Sequence, residues 1–250
     1  MATANGSAFV PSSRLASDAR RARPLPCLDC PVKAYNVCKP LEYERQKQLF
    51  ELGVQQSWKR RQFLYRAGDP ATTLFKITSG IVAVSRPFAD GRRQILGFFL
   101  AGEICGFIVK DGKYSFDGEA ITEVGTCSLN RRRFDAFAAQ HRDVADEIRT
   151  ALTEKLRQTS EHMAAIGQLS SAESVADFLC RLGSAYSEHA FQTRPLLLPM
   201  TRHDIAEYLG LRLETVSRAF SKLKKRGILD LDEDKILIHD PARLARLSGA

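Results

Sequence analysis

Tryptophan and methionine are scarce in this 250-residue chain, at one and three residues. Long apolar runs are missing. The longest apolar stretch, residues 95–109, is interrupted by Gly97, Gly102, Glu103 and Gly106. A membrane-spanning helix needs about 20 apolar residues, so no span is expected. The N-terminus has no apolar h-region, so no secretory signal is expected, and the expected location is cytoplasmic. No P-loop, nucleophile elbow or metal-hydrolase motif occurs. The five histidines, His141, His162, His189, His203 and His239, do not cluster. No enzyme activity is expected. Acidic residues are the minority, 29 against 37 basic, for a formal net charge of +8. That balance suits a polyanionic partner without naming one.

The rest of the composition is ordinary for a globular protein, with 44% hydrophobic and 26% charged residues. The length allows one large domain or two modest ones, and a core of that size needs no disulfide staples. Six cysteines are present: Cys27, Cys30, Cys38, Cys105, Cys127 and Cys180. Three fall within twelve residues. In a cytoplasmic chain such clustering points to metal or redox chemistry.

Residues 1–25 read as a solvated, disordered tail, with a transit peptide or a phosphate-touching arm as alternatives. Residues 26–133 hold a cysteine loop and a β-rich sensor domain. Prolines at 26, 31 and 40 argue against a long helix in the loop. Residues 41–57 read as a short amphipathic helix. From Trp58 to Asn130, turn signals at Gly68, Gly80, Gly91 and Gly102 separate short β-type runs, which argues for a roll, barrel or sandwich. Residues 134–170 read as one long helix. Its positions Ala145, Ile148, Leu152, Leu156, Thr159, Met163 and Ile166 step by threes and fours, averaging 3.5 residues. That is the period of a coiled-coil seam and predicts self-pairing; a helix packed on its own domain is the alternative. The fold class is thus α+β, with a second unit over residues 171–250.

In that unit Thr201 reads as an N-cap, with Asp204 reaching back to it. Ile205, Ala206 and Leu209 form an apolar face, and Gly210 suits the left-handed end of the helix. A second helix from about Leu213 turns Val216, Phe220 and Leu223 inward. This is the pattern of a helix-turn-helix, followed by a hairpin over residues 228–238, the wing. Glu214, Ser217 and Arg218 share the outer face of the second helix. Arg218 suits guanine O6 and N7, Glu214 suits cytosine N4, and Ser217 suits either base type. Thr201, Arg202 and Lys222 are candidate backbone contacts, within a segment (residues 201–226) carrying seven basic and three acidic residues. Double-stranded DNA is the expected partner.

The segment Glu214-Thr215-Val216-Ser217-Arg218 resembles the E-x-x-S-R recognition helix of the FNR branch of the CRP/FNR transcription regulators. The order of units resembles that family too: a cyclic-nucleotide-binding-like β-roll, a long dimerisation helix and a winged helix-turn-helix. The similarity covers nearly everything from Cys27 onward. It implies a homodimer on a two-fold operator of the TTGAT…ATCAA kind, with Glu214, Ser217 and Arg218 as base readers, and contact with RNA polymerase.

Cys27, Cys30 and Cys38 fall as C-x2-C-x7-C. Thiolates suit iron–sulfur clusters or zinc, and a four-thiolate site needs one more, from Cys127 or Cys105. The spacing resembles FnrL, FnrN and FixK-type members more than enteric ones. The resemblance implies a [4Fe–4S] cluster on Cys27, Cys30, Cys38 and Cys127, and oxygen as the signal. Structural zinc, or a cluster-free regulator with another effector, is the alternative. Relatives that bind a cyclic nucleotide use a Gly-Glu turn followed by Arg-Ser. Gly102-Glu103 is present, but residues 114–119 contain no arginine and include Asp117 and Glu119. No cyclic nucleotide is expected.

Overall fold

The computed structural model describes residues 30, 32–188 and 195–248. Cys27 and the N-terminal tail lie outside them. After a 3-10 turn at Asn36–Cys38 comes α1 (Tyr43–Phe50). The strands of the first domain are β1 (Gly53–Trp58), β2 (Phe63–Tyr65), β3 (Thr73–Ser79), β4 (Ile81–Pro87), β5 (Arg93–Leu100), β6 (Ile104–Cys105), β7 (Val109–Lys110), β8 (Lys113–Tyr114), β9 (Asp117–Ala120) and β10 (Val124–Asn130). They form two four-stranded antiparallel sheets, ordered β1-β10-β3-β6 and β2-β9-β4-β5, with β7 and β8 as a separate hairpin. The expected β-roll is present. All four glycines at the expected turns, Gly68, Gly80, Gly91 and Gly102, adopt positive φ. At Gly80 any Cβ would lie 2.1 Å from the Glu123 carbonyl oxygen, so only glycine fits.

Two boundaries differ from expectation. Residues 41–57 are not one helix: α1 stops at Phe50, and β1 starts at Gly53 along β10. The 134–170 helix is two helices, α2 (Arg131–Gln140) and α3 (Arg142–Gln168). Asn130 caps α2 by accepting from the Arg133 amide at 3.1 Å. His141, at φ −125° and ψ 94°, leaves helical geometry and breaks the rod. Phe134 and Phe137 bury α2 beside β10, and Val144 then anchors the first turn of α3.

Beyond α3 lie α4 (Ser171–Glu188), β11 (Leu196–Leu197), α5 (Arg202–Leu209), α6 (Leu213–Lys225), β12 (Leu229–Asp232), β13 (Lys235–Ile238) and α7 (Pro241–Leu247). The three strands pair as β11-β13-β12, giving the expected winged helix-turn-helix.

Strand β4 joins the two domains. Its side chains alternate: Val82 and Val84 fill the roll, whereas Ile81 and Ala83 belong to the same core as Val175, Phe178, Leu179 and Ile205 of the C-terminal unit. Burial on both faces explains why the run reads as uninterrupted apolar sequence. Helix α3, about 40 Å long at 1.5 Å per residue, turns Leu152, Leu156, Met163 and Ile166 to solvent, at 44%, 67%, 70% and 44% exposure. So much exposed aliphatic surface in one stripe marks an interaction face.

On its other side α3 carries the buried His162, whose ring stacks on Tyr208 at 3.9 Å and lies 3.0 Å from the Tyr208 carbonyl oxygen through Nε2. Burial holds the His162 imidazole below the ordinary histidine pKa, against the raising effect of that hydrogen bond. A folded value below the unfolded one gives stability that is full above about pH 6.5 and is lost as pH falls. The melting temperature is expected to drop on acidification below about pH 6.5 more steeply for the parent than for His162→Gln, measured by calorimetry across that range.

Candidate DNA-reading surface and thiol pocket

The helix-turn-helix is built by local chemistry. The Thr201 hydroxyl accepts from the Asp204 amide at 3.1 Å, and Asp204 Oδ2 accepts from the Thr201 amide at 2.9 Å, completing a capping box. Gly210 sits at φ 67°, ψ 27° and turns the chain into α6. Val216, Phe220 and Leu223 are buried beneath α6, and Glu214, Ser217 and Arg218 are exposed together near its N-terminus. Arg218 Nε bonds the Glu214 carbonyl at 3.3 Å, lying along the helix that its reach would extend from. Lys222 is exposed one turn further on.

Two of the candidate contacts have structural work as well. The Thr201 hydroxyl donates to Asp204 at 2.6 Å, so its proton is committed. The Arg202 guanidinium lies 3.5 Å from the centroid of the Phe220 ring, a cation–π contact that ties α5 to α6.

The thiols separate by strand parity. In the β3 register Cys105 stands opposite Phe75 and Cys127 opposite Lys76. Successive residues point to opposite faces. Cys105 therefore enters the roll, where burial pushes its thiol up to about 12. Cys127 faces outward beneath the cysteine loop. Cys30, Cys38 and Cys127 line one pocket, together with Lys33, Gln46, Gln55, Lys76 and Thr78. Among the described residues no three His, Cys, Asp or Glu side chains converge tightly enough to hold a single ion. Cys180 is half-buried on α4, its thiol raised by burial.

Sequence reasoning missed what seats this loop. Val32, Val37 and Leu41 are buried. Lys76, only 2% exposed, sends Nζ to the carbonyl oxygens of Val32 at 3.2 Å and Tyr35 at 3.0 Å. A buried ammonium requires such acceptors. From the same region Lys39 reaches Glu147 at 3.3 Å and Arg45 reaches Asp143 at 2.6 Å, both on the first turns of α3. No sequence signal marks a lysine in a strand as a loop clamp.

A second pocket lies between the roll and α3, lined by Tyr65, Phe99, Phe116 and Leu152 among others. Glu103 stands there, and Lys155 of α3 meets it at 2.6 Å and sits 4.2 Å from the Phe99 ring centroid.

Two family models match: a cyclic nucleotide-binding domain over residues 55–141 and a Crp-like helix-turn-helix domain over residues 173–247. The nitrogen fixation regulation protein FixK of Bradyrhizobium diazoefficiens is 32% identical over 226 residues, covering 90% of this chain and 94% of that protein. This chain belongs to the FNR/FixK branch of the CRP/FNR family. Members of that family are DNA-binding transcription regulators, not enzymes. The transcriptional activator FnrL of Cereibacter sphaeroides is 28% identical over 232 residues, covering 89% and 92% of the two chains. The solved structure of FixK2 from Bradyrhizobium japonicum superposes with a TM-score of 0.73 at 30% identity, over 79% of this chain and 98% of that one. No helix among the described residues is long and apolar enough to cross a membrane.

For this FNR/FixK-type regulator, Arg218→Ala should cost about 1–3 kcal/mol at one guanine and relax discrimination there. Lys222→Ala should weaken all duplexes alike and lower the salt slope by about one. Titrations of fluorescent duplexes bearing single-base changes, at two salt concentrations, check both.

Proposed function

We propose that the chain is an oxygen-responsive regulator that works as a homodimer on a TTGAT…ATCAA-type operator. Its signal would be read by a [4Fe–4S] cluster on Cys27, Cys30, Cys38 and Cys127. The observation that carries this reading is the shared pocket of Cys30, Cys38 and Cys127. Each thiolate of a four-cysteine cubane takes a different corner iron. Such ligands need a common pocket rather than one meeting point, whereas zinc draws four sulfurs to about 2.3 Å from a single ion. When bound, the cluster would supply an oxygen-labile cross-link between loop and roll.

The chain's own residues supply the rest. Lys76 and the buried Val32, Val37 and Leu41 seat the loop against the sheet. Lys39 and Arg45 connect it to Glu147 and Asp143 at the start of α3. The exposed stripe of α3 is the pairing face. Thr159 interrupts that stripe and satisfies its own hydroxyl on the Lys155 carbonyl at 2.8 Å. It therefore adds little to pairing and keeps the dimer sensitive to the loop. Glu214, Ser217 and Arg218 then read each half-site, and RNA polymerase is the partner at the promoter. A cyclic nucleotide is not part of this reading. The second pocket offers Lys155, which Glu103 already neutralises, and Glu119 is taken up by Arg61 and Arg93.

Protein purified without oxygen should be brown, contain iron and acid-labile sulfide, and lose operator binding in air. Colourless zinc protein, or unchanged operator occupancy after air, overturns the proposal. Cys127→Ser should lose the iron and Cys105→Ser should keep it. Thr159→Leu should raise dimer content and operator binding in air, read by sedimentation and duplex titration; binding as weak as the parent's refutes the role given to Thr159.

A further inference from the structure

The first residues of α5 are held by the other domain. Asp204 is fully buried, and two arginines of the β-roll reach its carboxylate. Arg61 donates to Asp204 Oδ1 and Oδ2 at 3.0 and 3.2 Å, and Arg93 Nη2 donates to Oδ1 at 2.9 Å. Arg93 also donates to Glu207 Oε2 through Nε at 2.6 Å and to Glu119 through Nη1. Arg61 meets Glu119 Oε1 at 3.2 Å. Two guanidinium groups are thus shared among three carboxylates drawn from β9 and α5.

Arg61 accepts a backbone cost to be there. Its φ is 68°, in the left-handed region that disfavours residues with a Cβ. Strain of that kind persists only where surrounding contacts hold it. The far end of α5 is gripped too. Gln94 Nε2 and His162 Nε2 both contact the Tyr208 carbonyl oxygen at 3.0 Å, and the Tyr208 ring lies against Phe98. Apart from those to Glu119, these contacts fall on α5, and the reading face of α6 stays open to solvent.

From this geometry we infer that Arg61 and Arg93 are positioning residues for DNA binding. They latch α5 to the roll and thereby set where each recognition helix stands relative to the dimer axis. The inference rests on the reading of a dimer on a two-fold operator. Half-sites lie about 34 Å apart, one helical turn, so the two helices must be held at a defined separation. A domain that swings on its connector binds in proportion to the fraction correctly placed. If loss of both guanidinium groups leaves about a tenth of protomers docked, affinity falls about tenfold per protomer and about a hundredfold for the pair.

The test compares the parent with Arg61→Ala/Arg93→Ala, and with Asp204→Asn, which keeps an oxygen for the Thr201 amide should the double variant not fold. Calorimetry is expected to show one transition for the parent and two for the variants. Titration of a TTGAT…ATCAA duplex is expected to show the loss of affinity, with Arg93→Lys in between because an ammonium keeps the charge but cannot fork. Parental affinity, whatever the melting behaviour, overturns the inference. Failure of the parent itself to bind this duplex refutes the operator and not the latch. The melting comparison then decides, and a single unshifted transition in both variants overturns it.

Discussion

Burial of both faces of the β2-β9-β4-β5 sheet is the constraint that the molecule is built around. Val82 and Val84 point into the roll, and Ile81 and Ala83 point into the core of the C-terminal unit. Fully burying one aliphatic side chain is worth about 1.5–3 kcal/mol. Exposing this second face would forfeit several such contributions at once. The DNA-binding unit is therefore a wall of the sensor rather than an appendage, and α5 inherits its place from the sheet. Tyr208, stacked on His162 of α3 and tilted against Phe98 of the roll, sits at the junction of all three parts.

Much of this was legible in the sequence where structure is decided locally. Thr201 and Asp204 form a capping box, Gly210 needs a left-handed backbone, and the spacing of Val216, Phe220 and Leu223 marks an inner face. Each is settled within a few residues, and each is found. The glycine turns of the roll and the apolar stripe of α3 are legible for the same reason.

Features decided by distant partners were not legible. Strand β1 carries Val54, Gln55, Gln56 and Ser57, all exposed, with no alternation to announce a strand. It exists because β10 offers it a ladder. The break at His141 lies between two buried anchors, Phe134 on α2 and Val144 on α3, which share one core. Asp204 reads as a cap and is one, but nothing nearby in sequence reveals that arginines more than a hundred residues away share it. Spacing along the chain leaves both Cys105 and Cys127 open as the fourth thiol, and only the resemblance favours Cys127. Parity across β3 tells them apart, and parity depends on register.

The clamp formed by Lys76 decides where two of the thiols stand. Its hold on the Val32 and Tyr35 carbonyls involves no sulfur atom. Cys30 and Cys38 flank the clamped residues, so one ammonium in a strand keeps both thiols in the pocket that Cys127 lines. The shape of that pocket is thus set by an amine and two backbone carbonyls.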